Sequence, residues 1–142
     1  MKGPRKITYS CGIVPVRRVG SHWEFLLLRS YNYWDFPKGL QEKDEDSWTA
    51  ALRELREDTG FDGARAKWGQ ESYDTAPYSN SKVARYFLAE VPADQEVVFL
   101  PNPLTGIFEH HEHRWLPYAE ARALLGPRVQ QVIDWAQEKL VR

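Results

Sequence analysis

A chain of 142 residues suits one folded domain with one core, and 42% hydrophobic with 27% charged residues is the ordinary balance of a globular protein. Nineteen Lys and Arg stand against 20 Asp and Glu, which supplies neither a basic wrap for nucleic acid nor a polybasic patch for a membrane surface. An anionic ligand must therefore be met by a few local cations or by bound metal.

Cys11 is the only cysteine, so an intramolecular disulfide is excluded and a Cys/His zinc framework is not expected. Lys2, Arg5 and Lys6 are followed by Thr8, Tyr9 and Ser10 rather than by an apolar run, which does not make a signal peptide. The longest aliphatic run, Phe25-Leu26-Leu27-Leu28, is far too short to span a bilayer. The expected location is the cytoplasm. Aromatic residues make up 13% of the chain, enough to fill a core and also to stack on bases.

Residues 8–16 are expected to form a strand, with Pro15 placing it at a sheet edge or a bulge. A turn over 17–21 leads to the continuous apolar run of 23–29, which reads as a buried strand. Residues 30–46, rich in Tyr, Trp, Pro and Gly, read as a loop. The clearest helix covers 47–59, with Asp46 or Ser47 to cap its start and Gly60 to end it. Trp48, Ala51, Leu52 and Leu55 recur along it at helical spacing as one apolar stripe. Strands are expected over 82–91, 97–100 and 113–116. Two helical stretches follow Pro117, the second over 128–141 with Val129, Val132, Ile133, Ala136 and Leu140 on one face. Strands interleaved with a central and a C-terminal helix give a mixed α/β domain.

Glu54, Glu57 and Asp58 stand at i, i+3 and i+4 and so share one side of the central helix. At the helical rotation per residue the group centres roughly 120° from the apolar stripe, facing a cleft or solvent. Like charges this close cost roughly 0.2–0.5 kcal/mol per pair on an exposed helix. The helix dipole disfavours anions in the last turn as well. A divalent cation would reverse both penalties, and clustered carboxylate oxygens suit hard Mg²⁺ or Mn²⁺. Taken by itself the helix also fits a solvated face with Arg53 paired to Glu57.

Residues 39–61 read GLQEKDEDSWTAALRELREDTGF and resemble the Nudix box, Gx5Ex7REUxEExGU, where U is usually aliphatic. Gly39, Glu45, Arg53, Glu54, Leu55, Glu57 and Gly60 match at the right spacing. Asp58 stands where the family usually has Glu, and Phe61 where it usually has an aliphatic residue. The resemblance implies an α/β/α sandwich around a mixed β-sheet, one domain over residues 1–142. It also implies hydrolysis of a phosphoanhydride bond with Mg²⁺ or Mn²⁺ as cofactor. Glu54, Glu57 and Asp58 would bind the metal, with the carbonyl of Lys38 as a further ligand. Glu45 and Arg53 would form an ion pair holding the loop on the helix.

Tyr33-Trp34-Asp35-Phe36-Pro37-Lys38-Gly39 is similar to the W-x-F-P-K-G entry of the asymmetrical diadenosine tetraphosphate hydrolase branch. Lys38 is then a fixed cation for a polyphosphate chain. Trp34 is an aromatic face for a base, and Phe36 is a core residue. Glu109-His110-His111-Glu112-His113-Arg114-Trp115 is similar to the E-H-x-x-x-x-W element of the same branch. Glu109 would be the distal carboxylate, as metal ligand or general base, with Glu112 as its rival and His110 beside the substrate. Three His in four residues could also be a metal cluster or a polar surface loop. Lys82, Ala84 and Tyr86 share one face of their strand, opposite Val83, Arg85 and Phe87. Lys82 is placed for phosphate. Tyr86 is placed either for stacking on the nucleotide or for the core. The expected partner is a small nucleotide substrate, cut to a nucleoside triphosphate and a monophosphate, with no membrane and no obligate nucleic acid. The expected assembly is a monomer or homodimer. The alternatives are a Nudix pyrophosphohydrolase acting on RNA 5′ ends, nucleoside triphosphates or diphosphoinositol phosphates, and an inactive Nudix-fold binding domain.

Overall fold

The computed structural model describes residues 6–142, so Lys2 and Arg5 of the N-terminal stretch lie outside it. In chain order the elements are β1 (Thr8–Val19), β2 (His22–Ser30), β3 (Tyr33–Asp35), β4 (Lys38–Leu40), α1 (Ser47–Thr59), β5 (Ser72–Asp74), β6 (Lys82–Glu90), β7 (Glu112–Leu116), α2 (Tyr118–Leu124) and α3 (Pro127–Leu140). The strands form one seven-stranded sheet ordered β3-β2-β1-β6-β5, with β4 paired to β1 and β7 to β2. Only β1 and β6 run parallel, which makes the sheet mixed. No helix among the described residues is long and apolar enough to cross a membrane.

Two-residue alternation divides the core between the two faces of the sheet. Cys11 and Ile13 of β1, Leu26 and Leu28 of β2, and Phe87 and Ala89 of β6 pack with Ala50, Ala51 and Leu55 of α1. Val14, Val16, Phe25, Leu27, Ala84, Tyr86 and Leu88 pack on the other face with Ala121 of α2 and Val129, Val132, Ile133 and Ala136 of α3. The central strands are buried on both faces, so they read as apolar runs rather than alternating ones. The result is a helix layer on each side of a mixed sheet.

The helix over 47–59 stands where its caps place it. Asp46 is the N-cap, its carboxylate accepting Thr49 N–H at 2.7 Å, and Gly60 closes the last turn by donating to Arg56 O at 2.8 Å. Ser47 does not cap; its hydroxyl lies between Gln41 (3.1 Å) and Arg85 (3.0 Å).

Three expectations are corrected. Pro15 does not mark an edge, because β1 is central and pairs with β6 along Thr8–Val16. On its other side β1 pairs with β4 over Ser10–Gly12 and with β2 only from Val16. Ile13 N–H donates to Pro37 O and Tyr9 O accepts from Gln41 N–H, so odd-numbered residues of β1 turn their backbone toward that side. The missing N–H of Pro15 falls in the interval between the two partners, where no ladder bond is lost. Residues 97–100 form no strand, although Val97 and Phe99 still pack against the α1-side core. The stretch over 30–46 is not all loop, since it holds β3 and β4, and β5 is a further strand the pattern did not announce. Strands of three residues are too short to carry a periodicity.

The pairing of β4 with β1 depends on Gly12. A Cβ there would lie 2.6 Å from Lys38 Cβ and still closer to Pro37 O. Gly12→Ala is expected to push β4 off β1, lowering the melting temperature and, because Lys38 and Gly39 are on β4, the hydrolytic rate together. A thermal melt and an assay on one preparation check this, and wild-type values in both would contradict the close approach.

Candidate functional site

Helix α1 lies across the edge of β4, and Gly39 is what lets it. A Cβ on Gly39 would collide with the carboxylate of Glu54, which occupies that space. Glu54 is therefore largely sheltered, its side chain 13% exposed, while Glu57 one turn on is 57% exposed. Asp58 differs from the sequence-based expectation of a cleft-facing or solvated group: it is buried, at 8% exposure. Averaging the three acids hid this, because Asp58 by itself lies three residues after Leu55 and seven after Ala51, on the buried stripe.

The burial has electrostatic consequences. Desolvation first, then the neighbouring Glu54, Glu109 and Glu57, push the Asp58 carboxyl up to about 8, and a hydrogen bond from the Lys38 backbone only partly offsets this. Burial and Glu57 likewise raise Glu54, against the pull of Arg53. Asp58 Oδ2 is buried without any hydrogen-bond partner. A buried oxygen left this way costs free energy unless something positive reaches it.

Asp58, Glu109 and His110 each offer a ligand atom within 4.8 Å of one another. Glu109 and His110 come from the segment just before β7. The rival carboxylate Glu112 is elsewhere, paired with Arg29 at 3.1 Å and Arg114 at 2.8 Å. The His110 pKa is lowered, chiefly by burial, which favours the neutral imidazole. Its ring stacks on Phe99 with centroids 6.1 Å apart. His111 meets Tyr31 and His113 meets Phe99 edge-on, and neither joins the group of Asp58, Glu109 and His110. An orphaned carboxylate oxygen, three further carboxylates and a neutral imidazole form a donor set that fits a hard divalent cation.

Arg53 holds this arrangement in place. Its Nε and Nη2 grip Glu45 at 2.8 and 3.0 Å, and its Nη1 reaches Glu54 at 2.9 Å and Glu57 at 3.2 Å. Nη2 also donates to Leu40 O at 3.0 Å, tying the end of β4 to the helix. The Arg53 hydrogen bonds hold the Glu45 carboxyl below its usual range, and Glu45 raises Arg53 in return. The expected Glu45–Arg53 pair is therefore present, as part of a wider fork.

Lys38 faces both ways. Cys11 and Gly39 are a hydrogen-bonded pair by alternation from Ile13–Pro37, so the Lys38 N–H and C=O point away from β1. That edge is where the Lys38 backbone meets Asp58. The Lys38 side chain lies on the α2/α3 face beside Gly12, its ammonium 3.7 Å from Asp35. Asp35 was not singled out from sequence, yet it accepts both the Tyr86 hydroxyl (2.8 Å) and Phe36 N–H (2.6 Å). Its place inside the W-x-F-P-K-G stretch was the available signal.

Tyr86 has no ring face open to a base. It is 0% exposed, set edge-on to Phe36, and the same burial raises its pKa well above normal. Of the two roles left open for it, the core is the one this conformation allows. Trp34 is half-buried with the Arg114 guanidinium 4.9 Å from its ring centre. Lys82 shares the face of Tyr86 but pairs with Thr8, four residues from the level of Gly12 and Lys38, or roughly 13 Å along the strand. The structure thus gathers Glu54, Glu57, Asp58, Glu109 and His110, sets Lys38 beside them, and leaves Lys82 apart.

The family model described as NUDIX domain matches residues 7–136. The Sus scrofa protein named Bis(5′-nucleosyl)-tetraphosphatase [asymmetrical] is 31% identical over 124 residues, covering 79% of this chain and 80% of its own. The Caenorhabditis elegans protein of the same name is 27% identical over 121 residues, covering 81% and 83%. A crystal structure of a C. elegans Ap4A hydrolase binary complex superposes with a TM-score of 0.77 at 22% identity, covering 95% of this chain and 98% of that one.

The Asp58 shift fixes the sign of a pH dependence. Its folded pKa of about 8 exceeds the ordinary value of 3.8, so the folded state keeps a proton that the unfolded state releases. Stability of the metal-free protein should then fall as pH rises from about 4 toward 8, by up to about 1.4 kcal/mol per pH unit. His110 opposes this only below its ordinary value of 6.5. Between pH 6.5 and 8, urea denaturation in chelator is expected to show wild-type stability falling while Asp58→Asn stays level. A wild-type protein that gains stability over that window would contradict the buried acid.

Proposed function

The chain belongs to the Nudix family and is a phosphoanhydride hydrolase, and from that premise we propose divalent-metal-dependent, asymmetrical cleavage of a dinucleoside tetraphosphate to a nucleoside triphosphate and a monophosphate. One observation carries the reading. The segment holding Glu109 and His110, which resembles that branch in sequence, folds back onto Asp58 of the Nudix helix. The relatives named as asymmetrical tetraphosphatases over about four-fifths of their length support it.

In this reading Glu54, Glu57, Asp58, Glu109 and the Lys38 carbonyl hold the cation. When bound, it neutralises phosphate charge and lowers the pKa of the attacking water. Water adds to phosphorus, the P–O anhydride bond breaks, and the leaving phosphate departs with the bond's electron pair. Glu109, exposed where Asp58 is not, takes the water's proton. Lys38 neutralises the chain beside the carboxylates, and His110, held neutral, hydrogen-bonds rather than adding charge. Arg53 and Glu45 keep α1 seated on β4. Trp34 offers its ring to a base once Arg114 shifts, and Lys82 awaits the far end of the chain. Catalysis of this kind depends mainly on positioning and electrostatics.

A hydrolysis panel with Mg²⁺ and Mn²⁺, with products resolved by chromatography, tests the reading. Diadenosine tetraphosphate should yield ATP and AMP faster than a nucleoside triphosphate, an RNA 5′ end or a diphosphoinositol phosphate is cut. Glu57→Gln should lower kcat by orders of magnitude without loss of melting temperature, since it removes a like charge and keeps the shape. Preference for any of the other substrates would overturn the tetraphosphate reading. Near-normal turnover of Glu57→Gln at saturating Mg²⁺ would overturn the metal site.

A further inference from the structure

On the α2/α3 face a hollow of about 200 Å³ opens between the segment before β6 and the start of α3, lined by Thr75, Ala76, Pro77, Tyr78, Arg128 and Gln131. Arg128 is its unusual member. The guanidinium lies 4.0 Å over the Tyr78 ring, and its Nη1 is buried with no hydrogen-bond partner. Among the described residues it makes no ion pair. Asp35 is occupied with the Tyr86 hydroxyl, the Phe36 N–H and the Lys38 ammonium.

The fold gives this cation the Tyr78 ring and the neighbouring Tyr86 hydroxyl, but no carboxylate of the described residues within ion-pair distance. Arg128 stands in the first turn of α3, which contains no acidic residue and has no side-chain cap. The helix dipole is adverse to positive charge there. A guanidinium that is partly desolvated, without a carboxylate and with one N–H donor unused, is a cost unless an anion completes it. Two further groups face the same way. Gln131 accepts the Tyr73 hydroxyl on Oε1 at 3.0 Å, which leaves its amide N–H groups for the hollow. Lys82 pairs with Tyr78 in an isolated antiparallel bridge and so projects on the same face as that ring.

We propose that this hollow is an anion subsite built on Arg128, with Gln131 and Lys82 beside it, and that it takes a phosphate of the substrate's chain remote from the carboxylate cluster. The proposal rests on the polyphosphate substrate argued above. Lys82, roughly 13 Å along the strand from the level of Lys38, joins Arg128 and Gln131 in giving a longer chain a second point of attachment that a short diphosphate cannot use. Chain length is thereby read by distance, without a contact to the scissile phosphorus. The Tyr78 ring, already covered by the guanidinium, holds the fork in plane for a bidentate contact.

The test separates the subsite from catalysis. In chelator, the carboxylates repel anions and no metal bridges them. Tripolyphosphate titrated into ¹⁵N-labelled wild-type protein should then shift the Arg128 side-chain and Gln131 amide signals. Calorimetry on Arg128→Gln should show affinity for tripolyphosphate reduced about tenfold or more, as expected for loss of a charge-assisted contact. Arg128→Lys, which keeps the charge without the fork, should fall between the two. In the metal-loaded enzyme, Arg128→Gln should raise KM for diadenosine tetraphosphate more than for a nucleoside diphosphate sugar, with kcat changed less than KM. Shifts confined to other residues, or equal tripolyphosphate affinity in wild type and both variants, would overturn the subsite. So would an equal KM loss for long and short substrates. If wild type cleaves no dinucleoside polyphosphate while tripolyphosphate still binds through Arg128, the substrate reading fails and the anion subsite stands.

Discussion

The structure depends on one costly placement, the carboxylate of Asp58 buried against the edge of β4 with one oxygen unsatisfied. To bring Asp58 there, α1 must lie close on the strand, which requires the bare backbone of Gly39 beneath Glu54. That in turn requires β4 to sit tightly on β1, over the bare backbone of Gly12. Small residues do the rest, since Ala50 and Ala51 let the helix approach the sheet. Arg53 then clamps the helix to the loop through Glu45 and to the strand through Leu40 O. Each of these features lowers the cost of a position that the isolated protein would not favour. A divalent cation among the carboxylates would remove that cost.

The sheet also divides the chemistry. Carboxylates gather where α1 meets β4, whereas Lys38, Lys82, Arg114 and Arg128 send their side chains to the α2/α3 face or its margins. Strand β4 is the boundary, for its backbone meets Asp58 while its Lys38 side chain points across toward Asp35. Under the proposed function, a polyphosphate at this edge would have its negative charge near the carboxylates neutralised by a cation and its far charges neutralised by side chains. A near-zero net charge on the whole chain is compatible with an anionic substrate because the positive groups are concentrated in this way.

Much of this was legible in the sequence, for identifiable reasons. Helix α1 was readable to the residue because periodicity, an Asp cap and a terminal Gly all agree. The Glu45–Arg53 pair follows from the spacing of the Nudix box. Burial of Asp58 was obscured by treating three acids as one face, although its i+3 relation to Leu55 was available. Pro15 misled because a proline argues for an edge only when its missing N–H would face a partner, and the hand-over from β4 to β2 is a tertiary fact. Glu109 and Glu112 are equivalent in a string of letters. Arg29 and Arg114 claim Glu112, and Arg29 comes from β2, far away in the chain. Tyr86 shares its strand face with Lys82, and the pattern could not say that α3 covers that face.

The most direct measurement is calorimetric titration of Mg²⁺ or Mn²⁺ into the metal-free protein at pH 7, repeated in two buffers of different ionisation enthalpy. With Asp58 held at about 8, the carboxyl is mostly protonated at that pH and must give up its proton to bind the ion. The expected result is binding accompanied by release of about one proton per ion, largely abolished in Asp58→Asn. Binding heats that do not depend on the buffer, or no binding of either ion, would contradict a buried acid poised for a divalent cation.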